Sequence, residues 1–440
     1  MIYTGFSHGF HDACMAYIED DTILGAYHAE RRSRIKNDKN PDPRWDKIGE
    51  TCFYEKPFLK NTRRLYAGQG WTVRPEYDHY VSHHWSHAAA AYYTRPFKEE
   101  PVCVVIDAIG EWDTASIWWK KKKVWSTKYP RSLGLFYSAI THKIGLKPGE
   151  DEYITMGMAA FGQPLYKDEL RSLLNENLHK GISRFDHISH NDLASSAQAL
   201  IEDEIIKIMQ VAREYSPYLC YGGGVALNCV ANSKFYHIFK DIWIMPNPGD
   251  GGSALGCAAA VNGKMLKWED PYLGYSIEGE IDAKEVAQYI VNNSYCGVAN
   301  GRAEFGPRSL GNRSLLADPR RDIKDTVNQI KQRQEFRPFA PAILEEFAQD
   351  YFEGPMNEYM QFVAKAKHDY HSVTHVDGTA RVQIVKSDCK SALRPILEEF
   401  YELTGVPMLL NTSLNIKGQP IVNDEKDARD FERKYGVKVF

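Results

Sequence analysis

The sequence is short of the features that would send it into a membrane or out of the cell. No apolar run approaches the ~20 residues that a bilayer-spanning helix needs. Met1-Ile2-Tyr3-Thr4-Gly5-Phe6 has no basic region followed by a long apolar one, so no signal peptide is expected. The eight cysteines (Cys14, Cys52, Cys103, Cys220, Cys229, Cys257, Cys296, Cys389) include no Cys-x-x-Cys pair, and several sit inside apolar runs as small hydrophobes do. A reducing compartment fits that usage. Charge of one sign is also scarce: a net charge of −4 gives no global reason to expect a polyanion partner. These absences leave a soluble, cytoplasmic protein with no membrane partner. What is plentiful is core material. With 440 residues, 43 % of them hydrophobic and 12 % aromatic, the chain exceeds what one core usually holds, so two domains are expected.

The stretch His83-His84-Trp85-Ser86-His87-Ala88-Ala89-Ala90-Ala91-Tyr92-Tyr93 reads as a helix, because the alanine run is strongly helix-forming. His83 and His87 then lie one turn apart on one face, where two imidazoles can share a metal ion. The four alanines let this helix sit close against whatever carries further ligands. Two acidic loops supply them. Asp107 ends the apolar strand Val102 to Ile106, and Asp250 follows the apolar Ile242 to Met245 in the turn Asn247-Pro248-Gly249-Asp250-Gly251-Gly252. Two histidines and two strand-end aspartates form an N₂O₂ set for a divalent ion. The zinc-protease helix is excluded, since His84 stands where that motif needs glutamate.

Strand–loop–strand–hairpin units recur near Ile2 to Tyr27 and near Val102 to Thr127, which predicts a duplicated architecture of the actin/sugar-kinase (ASKHA) class. A glycine turn, Gly222-Gly223-Gly224 with Asn228 beyond it, suits backbone contacts to phosphate or packing on adenine. The basic run Glu30 to Lys36 reads as a solvated helix face. After Glu269 the chain changes character. Glu304 to Ser314, Asp318 to Arg321, Ile330 to Pro341 and Asp377 to Gln383 set arginines among Gly, Pro and Phe, holding them in rigid loops. With Asn411-Thr412-Ser413-Leu414-Asn415 at a strand end, this half reads as an anion pocket able to grip several phosphate oxygens.

His83-x-x-x-His87, Asn247-Pro248-Gly249-Asp250-Gly251-Gly252, Gly306-Pro307-Arg308, Phe336-Arg337-Pro338-Phe339-Ala340-Pro341 and Leu410-Asn411-Thr412-Ser413 occur in the order seen in one family. By these motifs the chain resembles the O-carbamoyltransferases of the NodU/CmcH type, named for nodulation and cephamycin-biosynthesis proteins, nearly end to end. The resemblance implies an α/β protein with a duplicated ASKHA-type carbamoyl-transfer domain over 1–275 and a YrdC-like α/β domain over 276–440. It implies that the second domain activates carbamoyl phosphate with ATP to carbamoyl adenylate. The first would then pass the carbamoyl group to an acceptor hydroxyl and release AMP. Lys331, Arg337, Arg381 and Ser413 would hold carbamoyl phosphate and ATP, with Arg308, Arg313 and Asn411 nearby. His83, His87, Asp107 and Asp250 would ligate the metal, iron(II) by resemblance, with zinc, manganese or magnesium as alternatives. Gly223, Gly224 and Asn228 would line the nucleotide, and His11 and Asp12 would orient or deprotonate the acceptor. A second copy of the chain in a homodimer is a further partner to consider. The chain departs from the family in being shorter than many relatives. It also lacks a lysine that the resemblance implies where Ile154 or Thr155 stands.

The acceptor is the least specified partner. Trp118-Trp119-Lys120-Lys121-Lys122-Lys123-Val124-Trp125, followed by Lys128, Tyr129 and Arg131, interleaves aromatics with positive charge. The plain reading is a hairpin with a solvated turn. The sharper reading is a nucleic-acid surface, with lysines on phosphates and tryptophans on bases. The acceptor would then be a hydroxymethylated pyrimidine in DNA, flipped out of the duplex, or its nucleotide; a sugar or secondary metabolite is the competitor. Two other functions fit parts of the sequence. A non-catalytic actin-like nucleotide-binding protein explains the duplicated strands but not the arginine loops, and a tRNA threonylcarbamoyl transferase does not call for a fused activation domain.

Overall fold

The computed structural model describes residues 1–440 and divides them into two compact units. One comprises Met1–Ala26 and Lys39–Trp268; the other comprises Tyr27–Asp38 and Glu269–Phe440.

The first unit contains two five-stranded sheets. Strands β1 (Ile2–Ser7), β2 (Cys14–Glu19), β3 (Thr22–His28), β4 (Glu50–Phe53) and β5 (His79–Tyr80) lie in the order β3-β2-β1-β4-β5. Strands β6 (Val102–Ile106), β7 (Asp113–Trp119), β8 (Lys122–Lys128), β9 (Tyr218–Gly222) and β10 (Asp241–Ile244) lie in the order β8-β7-β6-β9-β10. In both, the first strand pairs antiparallel with the next and parallel with the fourth. The same topology therefore occurs twice, giving the duplicated α/β, actin/sugar-kinase-like arrangement expected. All five residues of β6 are buried, as a central strand covered on both faces requires. The β7–β8 turn is tighter than the lysine run suggested. Only Lys120 and Lys121 form it, at φ 49° and 62°, and Lys122 and Lys123 already belong to β8.

Three helices position the chemistry of this unit: α1 (Pro57–Tyr66), α2 (His83–Thr94) and α3 (Ser253–Asn262). Ala88 to Ala91 of α2 are buried, and Gly256 of α3 lies so near α2 that a Cβ there would come within 1.9 Å of the Ser86 carbonyl oxygen. The alanine run thus does what its small side chains allow. It brings α2 against the helix that begins directly after Asp250.

In the second unit, β11 (Tyr295–Ala299), β12 (Arg313–Ala317), β13 (Ala340–Leu344), β14 (Gln383–Val385) and β15 (Met408–Ser413) form a mixed sheet ordered β11-β12-β15-β13-β14. Alternate residues face opposite sides. Val298, Leu316 and Leu409 pack under the helices Ala283–Asn293 and Leu393–Thr404, while Ala299, Leu315 and Leu410 face Val327 and Phe431. The run Glu30 to Lys36 is a solvated face only in part: Arg32, Ser33, Ile35 and Lys36 are exposed, but the other cations turn inward. Arg31 is buried and donates to the Val422 carbonyl, and Arg34 donates to the Pro420 and Ile421 carbonyls and pairs with Asp427 at 3.0 Å. Backbone carbonyls and a carboxylate in the same unit pull these cations inward.

Candidate functional site

In the first unit, α2 begins beside the loop between β6 and β7. The Glu111 carboxylate accepts from the His83 backbone N–H (3.0 Å) and from that of Lys56 (2.8 Å), holding the free amides of the helix start. One turn apart, His83 and His87 bring their Nε2 atoms to 3.1 Å of each other. Asp107, at the end of β6, places Oδ2 3.0 Å from His83 Nε2 and 3.8 Å from His87 Nε2. Asp250, from the turn ahead of α3, places Oδ1 3.5 Å and 3.3 Å from the same two nitrogens. The four ligand atoms all lie within 4.8 Å of one another.

The arrangement fits a divalent ion. Ligands about 2.1 Å from a four-coordinate centre stand about 3.4 Å apart, and the observed separations bracket that value. Support from the surrounding groups is in place as well. His87 Nδ1 meets the Pro248 carbonyl at 3.0 Å and Ser253 Oγ at 3.1 Å, which leaves Nε2 as the coordinating atom. Asp107 Oδ1 accepts the Gly224 N–H at 2.9 Å. Burial opposes charge on His83, yet the Asp250 and Asp107 carboxylates raise it to about 9. Burial also works against the Asp107 carboxylate, which the hydrogen bond from His83 and the charge on His87 nevertheless hold well below the usual range. The two carboxylates favour positive charge in this pocket, which suits a divalent cation. His84 is separate: burial, then the charge on His83, pushes it well below its ordinary value, and its Nδ1 meets Ser116 Oγ at 2.7 Å.

The glycine turn contributes to this cluster more than to any nucleotide. The Gly223 N–H donates to the Pro248 carbonyl (2.8 Å) and the Gly224 N–H is spent on Asp107. Asn228 caps the helix Cys229–Phe235 through Ala231 N–H and exchanges amide hydrogen bonds with Gln198 at 3.0 and 3.1 Å. Its amide is therefore engaged in the fold. Gly223 has φ 92°, and a Cβ there would stand 2.3 Å from the Ile106 carbonyl oxygen. Gly223→Ala is expected to destabilise the protein by about 2 kcal/mol or more, because backbone must move on both counts. Since the turn holds Asp107, bound metal should fall too; thermal unfolding and elemental analysis read the two effects.

His11 and Asp12 sit in the β1–β2 loop, the counterpart of the loop carrying Asp107 in the duplicated half. Asp12 adopts a left-handed backbone at φ 53°, and His11 Nε2 is buried without a hydrogen-bond partner. The same loop holds His8, whose Nε2 meets Tyr77 Oη at 2.7 Å. Burial, then the charges of Lys60 and Lys47, lower His8 to about 4, so its ring is neutral near pH 7. Sequence reasoning missed His8, Glu111 and Ser253. The first two lie inside loops quoted for other residues, and nothing in their spacing marks them.

In the second unit, Lys331 follows the helix Lys324–Ile330 and is buried. Its ammonium contacts the Ser413 carbonyl, Ser413 Oγ (3.3 Å), the Asn415 carbonyl (3.0 Å) and Asn415 Oδ1 (3.1 Å). No carboxylate pairs with it. Burial, then the neighbouring charges of Arg333 and Arg337, push its pKa well down. A buried amine beside two guanidinium groups is a place where a bound anion relieves repulsion. Arg381, between two short strands, adds a buried Nε without a partner, and Arg308 lies half-buried in the loop after Gly306-Pro307.

Two residues expected near this pocket are engaged by the protein's own groups. Arg313 is fully buried and its five donors all meet backbone carbonyls, those of Asn423, Asn300, Asn312, Tyr275 and Gly301, at 2.8 to 3.0 Å. It has no donor left for a phosphate. Asn411 is buried in the sheet, with Nδ2 given to Gln383 Oε1 (2.6 Å) and the Ser309 carbonyl (3.2 Å). Both residues shape the pocket loops from behind. Glu304 does so too, accepting the backbone N–H groups of Leu310, Asn312 and Arg313.

Comparison with known proteins follows this division. Residues 54–259 match the family model described as carbamoyltransferase N-terminus, and residues 287–440 match carbamoyltransferase C-terminus. The nodulation protein NolNO of Sinorhizobium fredii is 33 % identical, over 95 % of this chain and 76 % of its own length. Nodulation protein NolO of Bradyrhizobium diazoefficiens is 32 % identical, over 79 % of this chain and 75 % of its own. Among solved structures, the activator of 2-hydroxyisocaproyl-CoA dehydratase from Clostridium difficile with bound ADPNP is similar at a TM-score of 0.38 and 13 % identity, covering 60 % of this chain and 95 % of that one.

Proposed function

The chain belongs to the carbamoyltransferase family, and from that premise we propose that it is an ATP-dependent O-carbamoyltransferase working in two half-reactions. Activation is assigned to the YrdC-like domain, 276–440, and transfer to the ASKHA-type domain, 1–275. The observation that carries the activation step is the buried Lys331 ammonium, held by Ser413 and Asn415 with no carboxylate among its contacts and flanked by the charges of Arg333 and Arg337. Lys331, Arg337, Arg381, Ser413 and Arg308 hold carbamoyl phosphate and the ATP phosphates there. Atom balance needs one water. It releases phosphate from carbamoyl phosphate, and the resulting carbamate attacks the α-phosphorus of ATP, expelling pyrophosphate and leaving carbamoyl adenylate. The acceptor hydroxyl then attacks the carbamoyl carbon, AMP departs, and the hydroxyl proton passes to a base.

In the transfer domain, His83, His87, Asp107 and Asp250 would hold a divalent ion, iron(II) by family resemblance. Bound there, it supplies a Lewis acid for the phosphate charge of departing AMP. Glu111 and the Gly224 N–H keep the ligands aimed, and the uncommitted Nε2 of His11, with Asp12, receives the acceptor hydroxyl. The chain's eight free cysteines support a cytoplasmic setting.

The acceptor is a small hydroxyl compound: a hydroxymethylpyrimidine nucleotide, a sugar or a secondary metabolite. The hairpin argues against a polymer. Trp118 lies 5.0 Å from Trp85, Lys123 pairs with Asp113 at 2.5 Å, and Lys121 stands 5.4 and 5.1 Å from the rings of Tyr92 and Tyr93. Trp118 thus packs on helix α2, Lys121 lies over two of its rings, and Lys123 is held by its own sheet. The test is to supply carbamoyl phosphate and ATP with hydroxymethylated DNA, its mononucleotide and sugar acceptors, following AMP release and product mass. Failure to carbamoylate any hydroxyl, despite pyrophosphate release, would overturn the transfer reading. Replacing Lys120 to Lys123 by glutamine should leave acceptor use within about twofold; a salt-sensitive loss of DNA modification in that variant would restore the polymer acceptor.

A further inference from the structure

Helix α1 is amphipathic in the wrong sense for a surface helix. Its buried residues are Pro57, Asn61 and Arg63, whereas Phe58, Leu59, Leu65 and Tyr66 face solvent. These four fall in pairs seven residues apart, which puts them on one stripe. The chain that turns back beside the helix adds Trp71 and Val73. Phe58 is 66 % exposed, Tyr66 70 %, Trp71 58 % and Val73 91 %.

Polar contacts hold this lobe in place. Asn61 accepts from the Thr72 N–H (2.9 Å) and hydroxyl (2.8 Å) and donates to the Thr72 carbonyl (2.9 Å), pinning the return loop along the helix. Arg63 Nε donates to the Glu111 carbonyl (3.3 Å) and Nη1 to Gln69 (3.0 Å). The polar groups are spent inward and the apolar ones are presented outward. Each large apolar side chain left in water forgoes about 1.5–3 kcal/mol of burial, so a contiguous patch of this kind marks an interaction surface.

Charge selects the occupant. From Lys56 to Pro75 the chain carries Lys56, Lys60, Arg63, Arg64 and Arg74 and no carboxylate. Lys60 pairs with Glu55 and Arg63 is buried, leaving Lys56 and Arg74 exposed at the rim with Arg64 half-buried. A second copy docking by two-fold symmetry would set this positive rim against itself. A single-stranded nucleic acid would use the rings but give Leu59, Leu65 and Val73 no role. An anionic lipid surface accounts for all of them. Rings and aliphatics enter the headgroup boundary, and the cations meet lipid phosphates.

We infer that the lobe from Lys56 to Arg74 docks the protein reversibly on anionic membrane surfaces. No helix is long and apolar enough to cross a membrane. That leaves surface contact open, which goes beyond the expectation of no membrane partner. It stands on the lobe alone and is independent of the carbamoyl-transfer assignment.

The test is co-sedimentation of the full chain with phosphatidylcholine vesicles, with and without phosphatidylglycerol. Binding is expected only with phosphatidylglycerol and should weaken as salt rises. Phe58→Glu combined with Tyr66→Glu should lower the partition by about tenfold or more. Both sites are exposed, and circular dichroism checks that the variant is folded. A second measurement needs no patch disruption: brominated lipids should quench tryptophan fluorescence of the native chain, with a smaller effect in Trp71→Phe. Absence of binding to phosphatidylglycerol vesicles, or binding untouched by the double variant, would overturn the inference. So would loss of self-association or of single-stranded DNA binding in the double variant with no lipid effect, which would name a different occupant.

Discussion

His87→Ala and Asp250→Ala are each expected to strip the divalent ion from the protein and abolish carbamoyl transfer, while carbamoyl adenylate formation survives. The four ligand atoms come from α2, the end of β6 and the turn before α3, and each is a large share of a small donor set. Losing even a supporting group around a metal commonly costs 10–100-fold in affinity, so losing a ligand should cost more than about a hundredfold. His87 is buried beside α3, and its truncation also leaves a cavity. Asp250 is partly exposed, and Asp250→Asn keeps its shape, which separates ligation from folding. The readouts are elemental analysis, pyrophosphate release and carbamoylated product. Full metal content in both variants would eliminate the proposed ligand set, and loss of pyrophosphate release would eliminate the division of labour.

Arg337→Ala is expected to show the opposite pattern, with pyrophosphate release and transfer lost together and metal content unchanged. A guanidinium that grips a polyphosphate makes paired charge-assisted hydrogen bonds of about 1.5–3 kcal/mol each. Removing two of them costs about 3 kcal/mol or more, a loss of at least about a hundredfold in rate. Lys331→Met should be as severe, because Ser413 and Asn415 are arranged around its ammonium. Normal pyrophosphate release by Arg337→Ala, in an assay dependent on carbamoyl phosphate, would show that activation occurs elsewhere. Arg313→Lys offers an internal contrast. It breaks the five-carbonyl clamp, so its main effect should be on stability, read by thermal unfolding.

The sequence by itself determined the repeated strand pattern, the helix that sets His83 and His87 one turn apart, and the strand-end positions of Asp107 and Asp250. It also determined that α2 could approach another helix closely, because alanines leave room for nothing else. These features depend on local periodicity and side-chain size, which are written in consecutive residues. The tertiary structure alone decided which polar groups remain for a ligand. Arg313, Asn228 and the Gly224 N–H looked available and Arg31 looked solvated, yet each has a partner distant in the chain. Most of those partners are backbone carbonyls, which every residue carries, so no side-chain pattern announces where they will be. The same holds for α1, whose apolar positions are plain in the sequence. Only the contacts of Asn61 and Arg63 decided that its polar side would face the protein. A side chain's chemistry is local, but its availability depends on what the rest of the chain places beside it.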